Sequence, residues 1–205
     1  MDLQEARKQV AERLPKLQGW CGVEKGLRLV EIVTEVKARR VVELGVFGGR
    51  SLVTLALGGL VSGAQVFGID PWTKTDSLEG THDRQNSDWW AKLDYEQVFG
   101  WAKAAVADFD NVTLLRKRSD QVLELFLDGE IDVLHQDGNH SEESSSREVE
   151  LWLPKMKPGA IWIMDDIDWK VGDKVGTAKA QGMLLQNGYI EVENFGSWAV
   201  FKDLK

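Results

Sequence analysis

Val-Val-Glu-Leu-Gly-Val-Phe-Gly-Gly-Arg-Ser, residues 41–51, reads as a buried strand, a glycine turn and the opening of a helix. Gly45 and Gly48 let backbone come close to a ligand where any Cβ would intrude. Ser51 is placed to cap the helix, whose first amides favour electron-rich ligand atoms. Glu43 stands two residues before the first glycine, near the carboxyl end of the strand, where open α/β sheets bind their ligands. The dinucleotide fingerprint G-x-G-x-x-G is absent; the loop reads E-x-G-x-x-G-G. An acid beside a glycine turn suits a zwitterionic, cationic ligand better than a pyrophosphate. The plain alternative is a tight strand–helix turn that binds nothing.

Outward from this loop the chain alternates. Apolar runs predict strands at 40–45, 64–69, 111–116, 131–136 and 159–165, each followed by a helix or a long connection. That order implies a mostly parallel sheet with right-handed crossovers and helices on both faces. After a predicted helix at 173–187, Asn187-Gly188 and Gly196-Ser197 turn the chain through 189–195 and 197–202, which pair as a C-terminal antiparallel hairpin. Before the first strand, 2–18 and 24–39 have helical periodicity, interrupted by Gln18-Gly19-Trp20-Cys21-Gly22. All 205 residues are expected to form one domain.

One connection is abnormally long. About forty residues separate Asp70 from Asn111, and they carry Trp72, Trp89, Trp90, Tyr95, Phe99 and Trp101. Residues 88–107 have helical character. Residues 73–87 offer only Leu78 as an aliphatic anchor, which predicts a mobile loop. An insertion after the second strand sits over the ligand crevice, so 71–107 is expected to be a lid or acceptor-site cap, with Trp72, Trp89 and Trp90 as hinge and wall and His82 within reach of the acceptor. The alternative is that its aromatics only pin a helix to the sheet.

The acids that follow the strands carry the chemistry. Asp70 ends the second strand, where a carboxylate accepts the two hydroxyls of a ribose. Ser119 follows the third, ahead of a predicted helix at 120–127 for which it would be an N-cap. Asp137, Asn139 and His140 follow the fourth. Asp165 and Asp166 follow the fifth, with Asp168 close behind. Adjacent parallel strands lie about 4.8 Å apart, so these acids can converge. Converging carboxylates repel unless a cation lies between them. Oxygen donors with one His and no Cys nearby suit Mg²⁺, Mn²⁺ or Ca²⁺ over zinc. His135 lies a step earlier in the strand and reads as a core residue.

Bulk properties narrow the partners. Net charge is −8, from 25 basic and 33 acidic side chains, which disfavours a nucleic-acid partner. No apolar run reaches the length of a membrane span, and MDLQEARKQV lacks the apolar core of a secretory signal, so no membrane partner is expected. The single Cys21 suits a reducing compartment, and a cytoplasmic location is expected. The amphipathic N-terminal helices are candidates for a homodimer contact.

The loop at 43–51 resembles the first motif of class I S-adenosylmethionine-dependent methyltransferases. The stretch 131–166, IDVLHQDGNHSEESSSREVELWLPKMKPGAIWIMDD, resembles the metal-dependent O-methyltransferases, nearest to the branch with macrocin-type sugar methyltransferases and cephalosporin hydroxylase-like proteins, whose pattern is D-G-x-H-S…D-x-x-x-W-x-P-x-x-x-P-G-G…D-D. The likeness runs from about residue 40 to 166. Ala160 replaces the usual second glycine, and His140 stands where catechol-type relatives carry a catalytic lysine.

The resemblance implies a Rossmann-like methyltransferase fold. It assigns cofactor contacts to Glu43, Gly45, Phe47, Gly48, Ser51, Asp70, Ser119 and Asp137, with Ser119 at the adenine edge. It makes Asp137, Asp165 and Asp166 ligands of a divalent cation, foremost Mg²⁺, and gives the catalytic roles to His140, as base, and Asp137. Asn139 is the less defined member of this group. The implied reaction is methyl transfer from S-adenosylmethionine to an oxygen of a small hydroxylated acceptor, a sugar or phenol. The rival classes are a non-catalytic or metal-independent binding protein of the same fold and, disfavoured by the missing fingerprint, a nicotinamide-dependent oxidoreductase.

Overall fold

Arg40–Leu44 forms β1, an interior strand of the sheet, because Val41, Val42 and Leu44 need cover on both faces; all are fully buried. The computed structural model describes residues 1–81 and 83–205. Its helices are α1 (Leu3–Arg13), α2 (Val23–Glu35), α3 (Arg50–Ser62), α4 (Lys74–Ser77), α5 (Arg84–Trp90), α6 (Tyr95–Ala105), α7 (Glu142–Trp152) and α8 (Ala178–Gln186). The further strands are β2 (Gln65–Ile69), β3 (Val112–Leu115), β4 (Ile131–Gln136), β5 (Met156–Asp165), β6 (Lys170–Val171), β7 (Lys174–Val175), β8 (Tyr189–Asn194) and β9 (Trp198–Asp203). Seven strands form one sheet in the order β3-β2-β1-β4-β5-β9-β8. The first five are parallel; β9 runs antiparallel to β5 and pairs with β8 as the expected hairpin.

Alternation along the strands divides the core into two layers. Val41, Val133 and Ile163 face one side and pack with Val10, Leu29, Leu52 and Ala102 from α1, α2, α3 and α6. Val42, Leu134 and Trp162 face the other and pack with Val149, Trp152 and Leu184 from α7 and α8. Each fully buried Val or Leu contributes on the order of 2 kcal/mol. The reversal of strand order at β1 and β4 opens a crevice at their carboxyl ends, the place where such sheets bind ligands.

Several sequence expectations change. The helix after the glycine loop starts at Arg50 with Gly49 as its cap, at φ +85°, so Ser51 is inside the first turn and not the N-cap. The segment 88–107 is not one helix: α5 ends at Trp90 and α6 begins at Tyr95, because Asp94 caps a new helix with its carboxylate on the amides of Glu96 and Gln97. Residues 120–127 form two 3-10 turns, Ser119–Gln121 and Leu123–Leu125; their longer rise carries the chain to β4 while still burying Val122 and Phe126. Residues 170–175 make a small hairpin, β6–β7, so the last helix starts only at Ala178.

The segment 73–87 also differs from the unanchored loop its composition predicts. Thr73 and Asp83 cap α4 and α5 with their side chains. Charge replaces the missing apolar anchor. Arg118 binds Asp76 at 2.6 Å and Glu79 at 3.0 Å, and Arg147 binds Glu79 at 3.0 Å. Asn139 donates to the carbonyls of Asp76, at 3.2 Å, and Glu79, at 2.8 Å. His82, expected near the acceptor, lies outside the described residues.

Candidate active site

The glycine loop is shaped by two close approaches. Gly45 has φ +85°, and a Cβ there would collide with the carbonyl of Asp137. Asp137 in turn donates its amide to the carbonyl of Leu44 at 2.8 Å, so the loops after β1 and β4 are laced together. Asp70 holds the turn from the other side. Its Oδ2 accepts the amides of Val46 and Phe47, both at 3.0 Å, and its Oδ1 accepts that of Trp72 at 2.7 Å. Burial pushes the Asp70 carboxyl up, and these three amides pull against that rise. A carboxylate has about four acceptor positions, so one remains, fewer than the two that the expected ribose diol would use.

A cavity of about 490 Å³ opens above these loops, in the range of small-molecule sites. Gly45, Phe47, Ser51, Asp70, Ser119 and Asp137 line it. His140, Asp165 and Asp166 line it too, with Asp165 beside Asp137. Glu43 lies beneath the floor, fully buried, and Gly48 faces the backbone of Gln18 rather than the cavity. Three of the four described non-glycine residues with positive φ stand at this edge: Phe47, Trp72 and Asp166 follow β1, β2 and β5. Strain of that kind concentrates where backbone is bent to serve a site.

Beside Ser119 lies a carboxyl that the sequence reading passed over. Ser119 donates to Glu148 Oε1 at 3.0 Å, and Gln136 donates to Oε2 at 3.0 Å. Burial pushes Glu148 up to about 7, against the pull of those two donors. Both residues line the cavity.

The acids after β4 and β5 meet, though not as the trio read from the sequence. Ligand atoms of His135, Asp137 and Asp165 lie within 4.8 Å of one another. Asp166 stands outside that set; at φ +54° its carboxylate turns to His140 Nδ1, 3.2 Å away. Asp168 is exposed. His135 is buried as expected, yet it is no inert core residue. Its Nδ1 faces Glu43 Oε1 at 2.8 Å and its Nε2 faces Asp165 Oδ2 at 3.2 Å. Burial disfavours the imidazolium, but Asp165 and Glu43 outweigh it and raise His135 to about 9. Burial and the neighbouring Asp165 hold Asp137 well above the carboxylate range. Asp165 goes the other way: burial is outweighed by Lys25 and His135.

Lys25, from α2, forms an ion pair with Asp165 Oδ2 inside the cluster. The signal for it was available: in helical spacing Lys25 shares a stripe with Leu29, Ile32 and Val33, all buried. His135 was legible in the same way, since β4 pairs it with Glu43 on one face of the sheet, two residues before Asp137.

Tryptophans form the outer wall. Trp20 packs on Phe47 at 4.9 Å and on Trp89 at 5.4 Å between ring centroids, and Trp89 meets Trp90 at 4.9 Å. Trp20 is 70% exposed and Trp89 42%. Trp72, expected at the wall or hinge, lines the cavity but is buried: it packs on Phe99 and donates its indole N–H to the Phe47 carbonyl at 2.8 Å.

A mostly parallel sheet, closed by an antiparallel pair and carrying its crevice at the glycine loop, is the Rossmann-like methyltransferase fold. Residues 42–167 match the family described as Methyltransferase domain, and the chain belongs to that family. Solved structures agree on the fold. An O-methyltransferase from Bacillus cereus, in complex with SAH, superposes with a TM-score of 0.63 at 16% identity, covering 99% of this chain and 90% of its own. The O-methyltransferase TomG from Streptomyces achromogenes, involved in tomaymycin synthesis and solved with SAM, gives 0.59 at 18% identity over 98% and 86%. The O-methyltransferase NovP gives 0.68 at 13% identity over 90% and 81%. An uncharacterized protein of Sinorhizobium fredii, y4gI, is 28% identical over 141 residues, 67% of this chain; the chain spans 14% of that relative's length. Among the described residues no helix is long and apolar enough to cross a membrane.

Proposed function

We propose that the protein binds S-adenosylmethionine across the glycine loop and transfers its methyl group to an oxygen of a small hydroxylated acceptor. The observation that carries this reading is one cavity that gathers two sets of groups, of which we assign one end to the cofactor and the other to the acceptor. One end has a backbone cradle, Gly45 to Ser51, with Asp70 and Ser119 disposed along it. The other has a histidine–carboxylate pair, His140 and Asp166, with the Trp169 ring 5.6 Å from that of His140. Relatives in fold that carry SAM or SAH support the cofactor.

S-adenosylmethionine supplies an electrophilic methyl on a sulfonium, so the protein must position an acceptor oxygen and take its proton. His140 takes that proton as the C–O bond forms and the C–S bond breaks; Asp166, 3.2 Å from Nδ1, steadies the imidazolium. The exposed faces of Trp20 and Trp89 suit the apolar face of a sugar or a phenol ring. The insertion that carries Trp89 and Trp90 serves as the cap of this half.

A metal-assisted version is the second reading. Asp165 Oδ1 is buried without a hydrogen-bond partner, as an oxygen awaiting a cation would be. The rest of the donor set fits a divalent ion poorly, since Lys25 already pairs with Asp165 and both His135 nitrogens face carboxylates.

Calorimetric titration with S-adenosylhomocysteine tests the proposal. Saturable binding that survives excess NAD is expected. No measurable binding, or thermal stabilisation by NAD alone, would overturn it.

A further inference from the structure

Four carboxyls converge under and beside the acceptor end of the cavity: Glu43, Asp137, Asp165 and Asp166. Such a group holds together around positive charge or by keeping protons. The chain provides that charge itself. Lys25 reaches in from α2 and binds Asp165 Oδ2, with its side chain 15% exposed and that of Asp165 8%. Its Nζ also lies 5.5 Å from the centroid of the Trp198 ring, so an acid and an aromatic face hold it together. Asp137 draws the same ammonium. On the far side His135 bridges Glu43 and Asp165, and His140 faces Asp166.

A divalent ion at this point would take oxygen from Asp137 and Asp165 and complete its shell with several more oxygens. To do so it must displace the ammonium from Asp165 and stand beside it in a buried site, where like charges repel strongly. His135 adds no lone pair while each ring nitrogen faces a carboxylate. Asp165 Oδ2 and both His135 nitrogens are therefore engaged already, which leaves Asp165 Oδ1 as the open oxygen of that carboxylate.

We propose that Lys25 is the resident cation of this cluster, standing where a divalent ion would bind, so that methyl transfer in this chain runs without metal. Lys25 lies outside residues 42–167, the part that matches the family, so the family match assigns it nothing. It acts as a positioning residue: it pairs with Asp165 and presents fixed positive charge to the cavity it lines. The metal-free reaction rests on the proposed activity, whereas the identity of the cation does not.

Mn²⁺ binding followed by electron paramagnetic resonance tests the cation directly, with S-adenosylhomocysteine titrated in parallel to judge the methyltransferase reading separately. The wild-type chain should show no saturable Mn²⁺ site. Lys25→Met and Lys25→Gln should each gain one, at least about tenfold tighter than any wild-type signal. Lys25→Met combined with Asp165→Asn should lose it again, and Lys25→Arg should not gain it. Two neutral variants guard against one failing to fold, and the wild-type measurement needs neither. Stoichiometric Mn²⁺ on the wild-type protein, or folded neutral variants with no gain in Mn²⁺ affinity, would overturn the proposal.

Discussion

The carboxyl ends of β1 and β2 and those of β4 and β5 solve opposite problems with the same residue type. After β2, Asp70 is neutralised by backbone: three amides of the glycine loop and the following turn converge on it. After β4 and β5, Asp165 and Asp166 are met by side chains, from Lys25, His135 and His140, and burial beside Asp165 drives Asp137 toward its neutral form. A backbone cradle is rigid and indifferent to which ligand charge passes above it. A side-chain cradle can be re-tuned by one substitution. The first suits a cofactor half and the second an acceptor half.

The sharpest way to break the comparison is at the lacing between the two halves. Gly45→Val puts a branched Cβ at φ +85° against the Asp137 carbonyl. It should cost on the order of 3 kcal/mol in urea unfolding and abolish binding of S-adenosylhomocysteine. Stability and binding close to wild type would mean that the two loops move apart freely.

The next effect in size should fall on the acceptor half alone. His140→Ala should lower turnover by about 10²–10⁴-fold while leaving S-adenosylhomocysteine affinity unchanged. A comparable loss of cofactor affinity would place His140 in the wrong half.

These two residues also mark what the sequence made legible. Gly45 stands in a contiguous motif, and His140, Asp137 and Asp165 stand at predictable strand ends. Parallel strands bring such ends together whatever the rest of the fold does. Lys25 and Trp20 reach the same cavity because α1 and α2 dock on one face of the sheet; the stripe of Lys25 with Leu29, Ile32 and Val33 marks a buried face but does not say which strand ends it meets. The 73–87 segment misled for a related reason. Its anchors are Arg118, Asn139 and Arg147, far along the chain, so a count of its own apolar residues understates what holds it. His135 was misread through parity: it shares a sheet face with Glu43 and Asp137, which turns a core position into the centre of a charge network.

A smaller effect sharpens the comparison on the cofactor side. Glu148 is the one acid there held up to about 7, against an ordinary value of 4.5. A raised carboxyl leaves stability untouched below 4.5, lowers it progressively as pH rises toward 7, and exerts its full penalty above. Glu148→Gln, with its amide oxygen toward Gln136 and its amide group toward Ser119, should therefore match wild type in acid and exceed it modestly above neutrality. Urea midpoints across that pH range check the sign. A gain that is constant with pH would show that Glu148 carries no shifted proton.

The division of the cavity is tested most directly by a crystal structure with S-adenosylhomocysteine bound. The account predicts the adenine beside Ser119 and Glu148, the ribose over Asp70, and the thioether sulfur turned toward His140 with the tryptophan wall beyond it. S-adenosylhomocysteine lying elsewhere, or with its sulfur directed away from His140, would contradict the assignment of the two halves and the chemistry built on it.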